Sequence, residues 1–190
     1  MSQKRAPEKL ADIVSSRLQQ IEDRLPSGKR VSIVVPKGVV RTVDTILPDY
    51  DFVSNPTVRR NICYAVEALD FYRWIINRFR LYGPVSAYLY KTGIILVDMV
   101  IEALTRDLLE QKGVSLSKSR AKNISKLSKH GVPSSLCERM RKLHERRGNI
   151  HLHRVSDLEA TKYTVQDWNK CIRCLQAVRE GLHRALCGGS

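Results

Sequence analysis

Gly93-Ile94-Ile95-Leu96-Val97-Asp98-Met99-Val100-Ile101 decides the fold. Apolar side chains fill almost every position, so a helix built from this run is apolar nearly all round and belongs at the centre of a bundle. It is expected over about 85–111, between the Gly83-Pro84 break and Gly113. Asp98 and Glu102 are the acids of the run, four residues apart and therefore on one face. A buried acid needs a cation, and Arg146 or Arg147 would supply one from across the bundle; otherwise the acids face solvent.

The flanking segments carry the same helical period. Ahead of the central run, Ser54 or Asn55 suits an N-cap and Pro56 a first-turn position, and Ile62, Val66, Leu69, Ile76 and Phe79 follow down one side. Behind it, Gly131-Val132-Pro133 breaks the chain, Ser134 or Ser135 suits a cap, and Leu136, Met140 and Leu143 form an apolar stripe. Thr164 with Asp167 forms a variant capping box for a last helix bearing Trp168, Ile172, Leu175, Val178, Leu182 and Leu186. Short connections between these four helices, the basic segment from Ser115 to His130 excepted, imply antiparallel neighbours, so the class is mainly α, an up-down four-helix bundle over 55–188.

Residues 1–54 read as a separate part. Leu10, Ile13, Val14, Leu18, Ile21 and Leu25 make an amphipathic helix ended by Pro26-Ser27-Gly28. Val31–Val35 and Val39–Val43, separated by Pro36-Lys37-Gly38, then read as a short β-hairpin-like arm, basic through Lys29, Arg30, Lys37 and Arg41. Pro48 to Pro56 is a turn-rich connection.

The charge balance narrows the partners. With 33 Lys+Arg against 19 Asp+Glu, the chain carries +14 and an isoelectric point near 9.9. Such a surplus favours a polyanion, since each neutralised phosphate releases counterions. Nucleic acid is the expected partner. A membrane is not, since no 18-residue apolar span or signal-like segment exists. The five cysteines, an odd number mostly within helical patterns, read as reduced thiols of a cytoplasmic protein. Cys171, Cys174, His183 and Cys187 have the composition of a zinc site, but ligands spread along one helix lie too far apart to share a metal. No metal or cofactor is expected.

Ser115 to His130 contains Lys118, Arg120, Lys122, Lys126 and Lys129 and no acid. Cations without counter-charges repel one another until an anion binds, so these five are candidate phosphate contacts, joined by Asn149 and Arg154. The second cluster is Glu145-Arg146-Arg147-Gly148-Asn149-Ile150-His151-Leu152-His153-Arg154. Extending the stripe of Leu136, Met140 and Leu143 reaches Arg147, Ile150 and His151. An arginine and a histidine entering a buried stripe must be paired or must line a cleft. Metal-free RNA cleavage needs a base for the 2′-hydroxyl proton, an acid for the leaving 5′-oxygen and a cation for the phosphorane. His151 or His153 suits the proton roles, Arg146 or Arg147 the phosphate clamp, and Asn149 a hydrogen bond to phosphate or imidazole. A plainer reading stays open: His151 and Arg154 favour a helix C-terminus through its dipole, and Gly148-Asn149 is a termination signal.

The cluster resembles the signature of the HEPN superfamily, small four-helix-bundle proteins of which many are metal-independent RNases. That signature is an arginine, four to six residues, then a histidine near the end of a core helix. Arg146 with His151, Arg147 with His153 and Arg146 with His153 all fit the spacing. The resemblance covers roughly 55–188 and implies an endoribonuclease of toxin or phage-defence systems. It also implies a homodimer whose two motifs face one composite cleft, with an inhibitory or complex-forming protein as a further expected partner. The alternative is a non-catalytic, basic helical subunit of a larger complex that binds nucleic acid through 117–130. Which of Arg146 and Arg147 faces inward depends on one residue of helix register near Gly148.

Overall fold

The computed structural model describes residues 13, 16, 17, 19, 20, 23, 24, 38–79, 83–148 and 163–187. The chain divides into two compact units, Met1–Lys37 and Gly38–Ser190. In the first, every described residue is helical, and Gln19 donates to Asp23 one turn on at 3.0 Å.

The second unit is helical throughout its regular structure. In order come α1 (Val43–Ile46), a 3-10 turn (Leu47–Tyr50), α2 (Pro56–Arg78), α3 (Gly83–Gln111), α4 (Arg120–Leu127), a 3-10 turn (Ser128–His130), α5 (Ser134–Gly148) and α6 (Val165–Cys187). Among the described residues there is no strand. The hairpin reading is therefore corrected where it can be seen: Val43 opens α1, and Val31–Val35 lies outside the described residues. The cause is period. Val43, Ile46, Leu47 and Tyr50 recur at helical spacing, the Thr42 carbonyl accepts the Ile46 N–H at 3.1 Å, and Ile46 and Tyr50 are buried. Residues 38–54 thus lead straight onto α2 and share its core.

Side chains at the helix ends explain where the helices start and stop. Asn55 caps α2, its Oδ1 accepting the Thr57 and Val58 N–H groups at 3.0 and 3.1 Å, with Pro56 at the first turn. Gly113, at φ +66°, closes α3 while the Val114 N–H reaches back to the Leu109 carbonyl at 2.8 Å. Thr164 and Asp167 exchange hydrogen bonds at the head of α6, the Thr164 N–H to Oδ2 at 3.1 Å and the Asp167 N–H to Oγ1 at 3.3 Å.

Helix α3 is the hub, packing on α2, α4, α5 and α6. Ile94, Val97, Ile101, Leu104 and Leu108 form its buried length and meet Ile62 and Leu69 of α2, Met140 of α5, and Trp168, Val178 and Leu182 of α6 in one core. Gly93 permits the closest approach, since a Cβ there would overlap the Trp168 indole, itself 1% exposed. Phe79, placed by the sequence pattern on the inner side of α2, lies just past that helix with extended backbone and is 44% exposed. No helix among the described residues is long and apolar enough to cross a membrane.

Candidate functional site

The centre of α3 places a carboxyl side chain inside the protein. Asp98 is 0% exposed, and three side chains converge on its Oδ2. Arg120, the first residue of α4, contacts it through Nη1 and donates from Nη2 to the Asp98 backbone carbonyl. Arg147 of α5 places Nη1 at 3.2 Å, and His144, one turn earlier on α5, places Nδ1 at 3.7 Å. Glu102, one turn along α3, widens the cluster, its Oε2 lying 3.2 Å from Arg120 Nη1 and 3.7 Å from Arg147 Nη1. Two carboxylates thus face two guanidiniums. Burial draws the Arg120 pKa down, and Asp98 and Glu102 oppose that shift.

The two arginines of the signature part company here, as neighbours on a helix must. Arg147 turns to α3 and keeps 36% of its side chain exposed. Arg146 turns to α6, its Nη2 lying 2.7 Å from Asp167 Oδ2, so Asp167 caps α6 and anchors Arg146 together. Among the described residues Arg146 is fixed by Asp167 and Arg147 by Asp98, with Glu102 at 3.7 Å from Arg147. Asp98 Oδ1 is buried without a hydrogen-bond partner among the described residues, which is costly for a carboxylate oxygen.

The remaining residues of the signature, Asn149, His151, His153 and Arg154, lie outside the described residues. Of the basic run, Lys118, Lys122 and Lys129 are exposed on and around α4. Lys126 is half-buried, donating to the Ser115 carbonyl at 2.6 Å. Arg120, grouped with that run in the sequence, is 8% exposed and turned inward, because Arg120, Asn123, Ile124 and Leu127 form the buried stripe of α4. Asn123 then pins the preceding loop, accepting the Ser117 N–H at 2.8 Å and donating to the Ser117 carbonyl at 2.9 Å.

Sequence reasoning overlooked two features. A groove of about 370 Å³ between α5 and α6 is lined by Arg139, Lys142, Arg146, Lys170 and Arg173, with Leu143, Cys171 and Cys174 as its apolar part. Its signal was present as cations at helical spacing on two separate helices. A second groove, about 380 Å³, is crossed by ion pairs: Arg41 to Asp70 at 2.6 Å, Arg41 to Asp49 at 3.1 Å and Arg179 to Asp49 at 2.9 Å. No local pattern announces those long-range pairs. The four described buried cysteines are free thiols, and among the described residues no three His, Cys, Asp or Glu side chains gather as a metal-binding group.

Compared with models of protein families, with curated proteins and with solved structures, the chain matches none.

Proposed function

We propose that the chain is a metal-independent endoribonuclease of the HEPN type, an up-down four-helix bundle acting in the cytoplasm as a homodimer. Arg147 carries the reading. Its guanidinium is held by the buried Asp98 yet remains partly exposed, at the end of α5 and immediately ahead of 149–154. A phosphate clamp needs such a cation, fixed from behind and open in front.

In the proposed step one imidazole, of His151 or His153, takes the proton of a ribose 2′-hydroxyl, whose oxygen attacks the adjacent phosphorus. The bond from phosphorus to the 5′-oxygen breaks, and a second imidazole protonates the leaving oxygen. Arg147 holds the non-bridging oxygens as negative charge grows on them. The products are a 2′,3′-cyclic phosphate and a 5′-hydroxyl. In the homodimer the two motifs face one cleft, so acid and base can come from different protomers.

The second reading, a non-catalytic subunit that binds nucleic acid, is favoured by the exposed Lys118, Lys122 and Lys129. Incubation with a mixed RNA pool in EDTA separates the two. Endoribonuclease chemistry cuts the RNA, leaves 2′,3′-cyclic phosphate ends and spares DNA of the same sequences, which lacks the attacking hydroxyl. Intact RNA together with salt-sensitive binding selects the second reading.

A further inference from the structure

We propose that the groove between α5 and α6 is a binding track for single-stranded nucleic acid, taking an unstacked base on its apolar surface and the flanking phosphates on its cationic rims. The proposal deepens the RNA reading by naming the form of the polymer, but it stands on side chains other than the Asp98 cluster.

Charge is the first argument. Arg139, Lys142 and Arg146 recur along one face of α5, and Lys170 and Arg173 face them from α6. Among the described residues, Asp167 is the one carboxylate in the lining, and it is taken by Arg146. Lys142 lies 3.6 Å from Glu138 outside the groove. No described carboxylate lies within ion-pair distance of Arg139, Lys170 or Arg173, whereas in the second groove Asp49 and Asp70 tie up Arg41 and Arg179. Among the described residues the first groove thus has three cations with no carboxylate partner, Arg139, Lys170 and Arg173, and the second has one, Arg73.

Shape and polarity are the second argument. Leu143, Cys171 and Cys174 line the groove between its rims. Burial raises both thiol pKa values, that of Cys171 to about 12, so at neutral pH this part of the groove is uncharged and its thiols are unreactive. An apolar strip between two cationic rims matches a base with phosphates to either side. A duplex keeps its bases stacked and offers only phosphates; an acidic peptide has nothing planar to lay on the strip.

The test uses the full chain and a short, labelled 2′-O-methyl single strand, which has no free 2′-hydroxyl and reports binding whether or not the protein cuts RNA. The variant Arg139→Ala/Lys170→Ala/Arg173→Ala removes three exposed cations, with unchanged circular dichroism as the folding check. It is expected to bind at least ~10-fold more weakly and to lower the slope of log affinity against log salt by about 2, the value for three single-strand phosphate contacts. A strand with abasic sites is expected to bind several-fold more weakly than the complete one. Unchanged affinity and slope in the triple variant would overturn the proposal, as would displacement of the strand by duplex or polyglutamate as effective as by unlabelled single strand. If RNA is cut by a protein whose triple variant binds normally, the groove fails and the endoribonuclease reading stands. If the groove binds and no RNA is cut, the reverse holds.

Discussion

Asp98→Ala is expected to remove about 3–5 kcal/mol of folding stability, read from urea unfolding followed by circular dichroism. Arg120 is the reason. Its guanidinium is buried against Asp98, and without that carboxylate it keeps, among the described residues, the backbone carbonyl of residue 98 and one anion, Glu102, at 3.2 Å and partly exposed. A buried charge without its partner costs far more than the pair contributes, because desolvation of the cation is no longer offset. Against a total of about 5–15 kcal/mol for a domain, the loss is large. The double variant Asp98→Ala/Arg120→Met is expected to recover most of it, since neither charge is then buried. A double variant no more stable than Asp98→Ala alone would show that the cost lies in packing rather than in the stranded cation.

His151→Ala/His153→Ala is expected to lower the single-turnover rate of RNA cleavage by about 10⁴-fold, while affinity for an uncleavable strand changes less than about twofold. The reasoning is chemical. Transfer of the 2′-hydroxyl proton and protonation of the 5′-oxygen are separate events, and loss of each proton carrier costs about 10²–10⁴-fold. Binding is governed by the phosphate contacts of the many lysines and arginines, to which two histidines add little. A rate that falls no further than affinity does would remove the histidines from the chemistry.

Much of the fold is legible wherever one helix carries its own signal. The all-round apolarity of the run from Gly93 to Ile101 marks α3 as the hub; Asn55-Pro56 and the Thr164/Asp167 pair mark where α2 and α6 begin. Asp98 and Glu102 could be matched in advance to Arg146 or Arg147 because a buried acid requires a cation, and the packing of α5 on α3 selects Arg147. Misreadings came where two periods compete over a few residues. Val39–Val43 is rich enough in β-branched residues for a strand, yet Val43 belongs to the helical pattern running on to Ile46, Leu47 and Tyr50. Arg120 was hidden by its neighbours: in a run rich in lysine its charge looks like one more surface cation, although Asn123, Ile124 and Leu127 place it on a buried stripe. Of the groove between α5 and α6 the sequence shows only the cations of each rim, since the two rims meet only when helices on either side of 149–162 pack together.

The most direct test of the central claim, that Asp98 aims Arg147 at a substrate phosphate, is the single-turnover cleavage rate in EDTA of Arg147→Ala and Arg147→Lys beside the parent. Arg147 is partly exposed, so its loss is expected to cost no more than about 1 kcal/mol of stability. The rate is expected to fall by about 10²–10³-fold in Arg147→Ala, and lysine is expected to restore little of it, having no planar fork for two phosphate oxygens. An Arg147→Ala protein that is folded and cuts RNA at the parent's rate would contradict the account and leave Arg147 as a structural partner of Asp98.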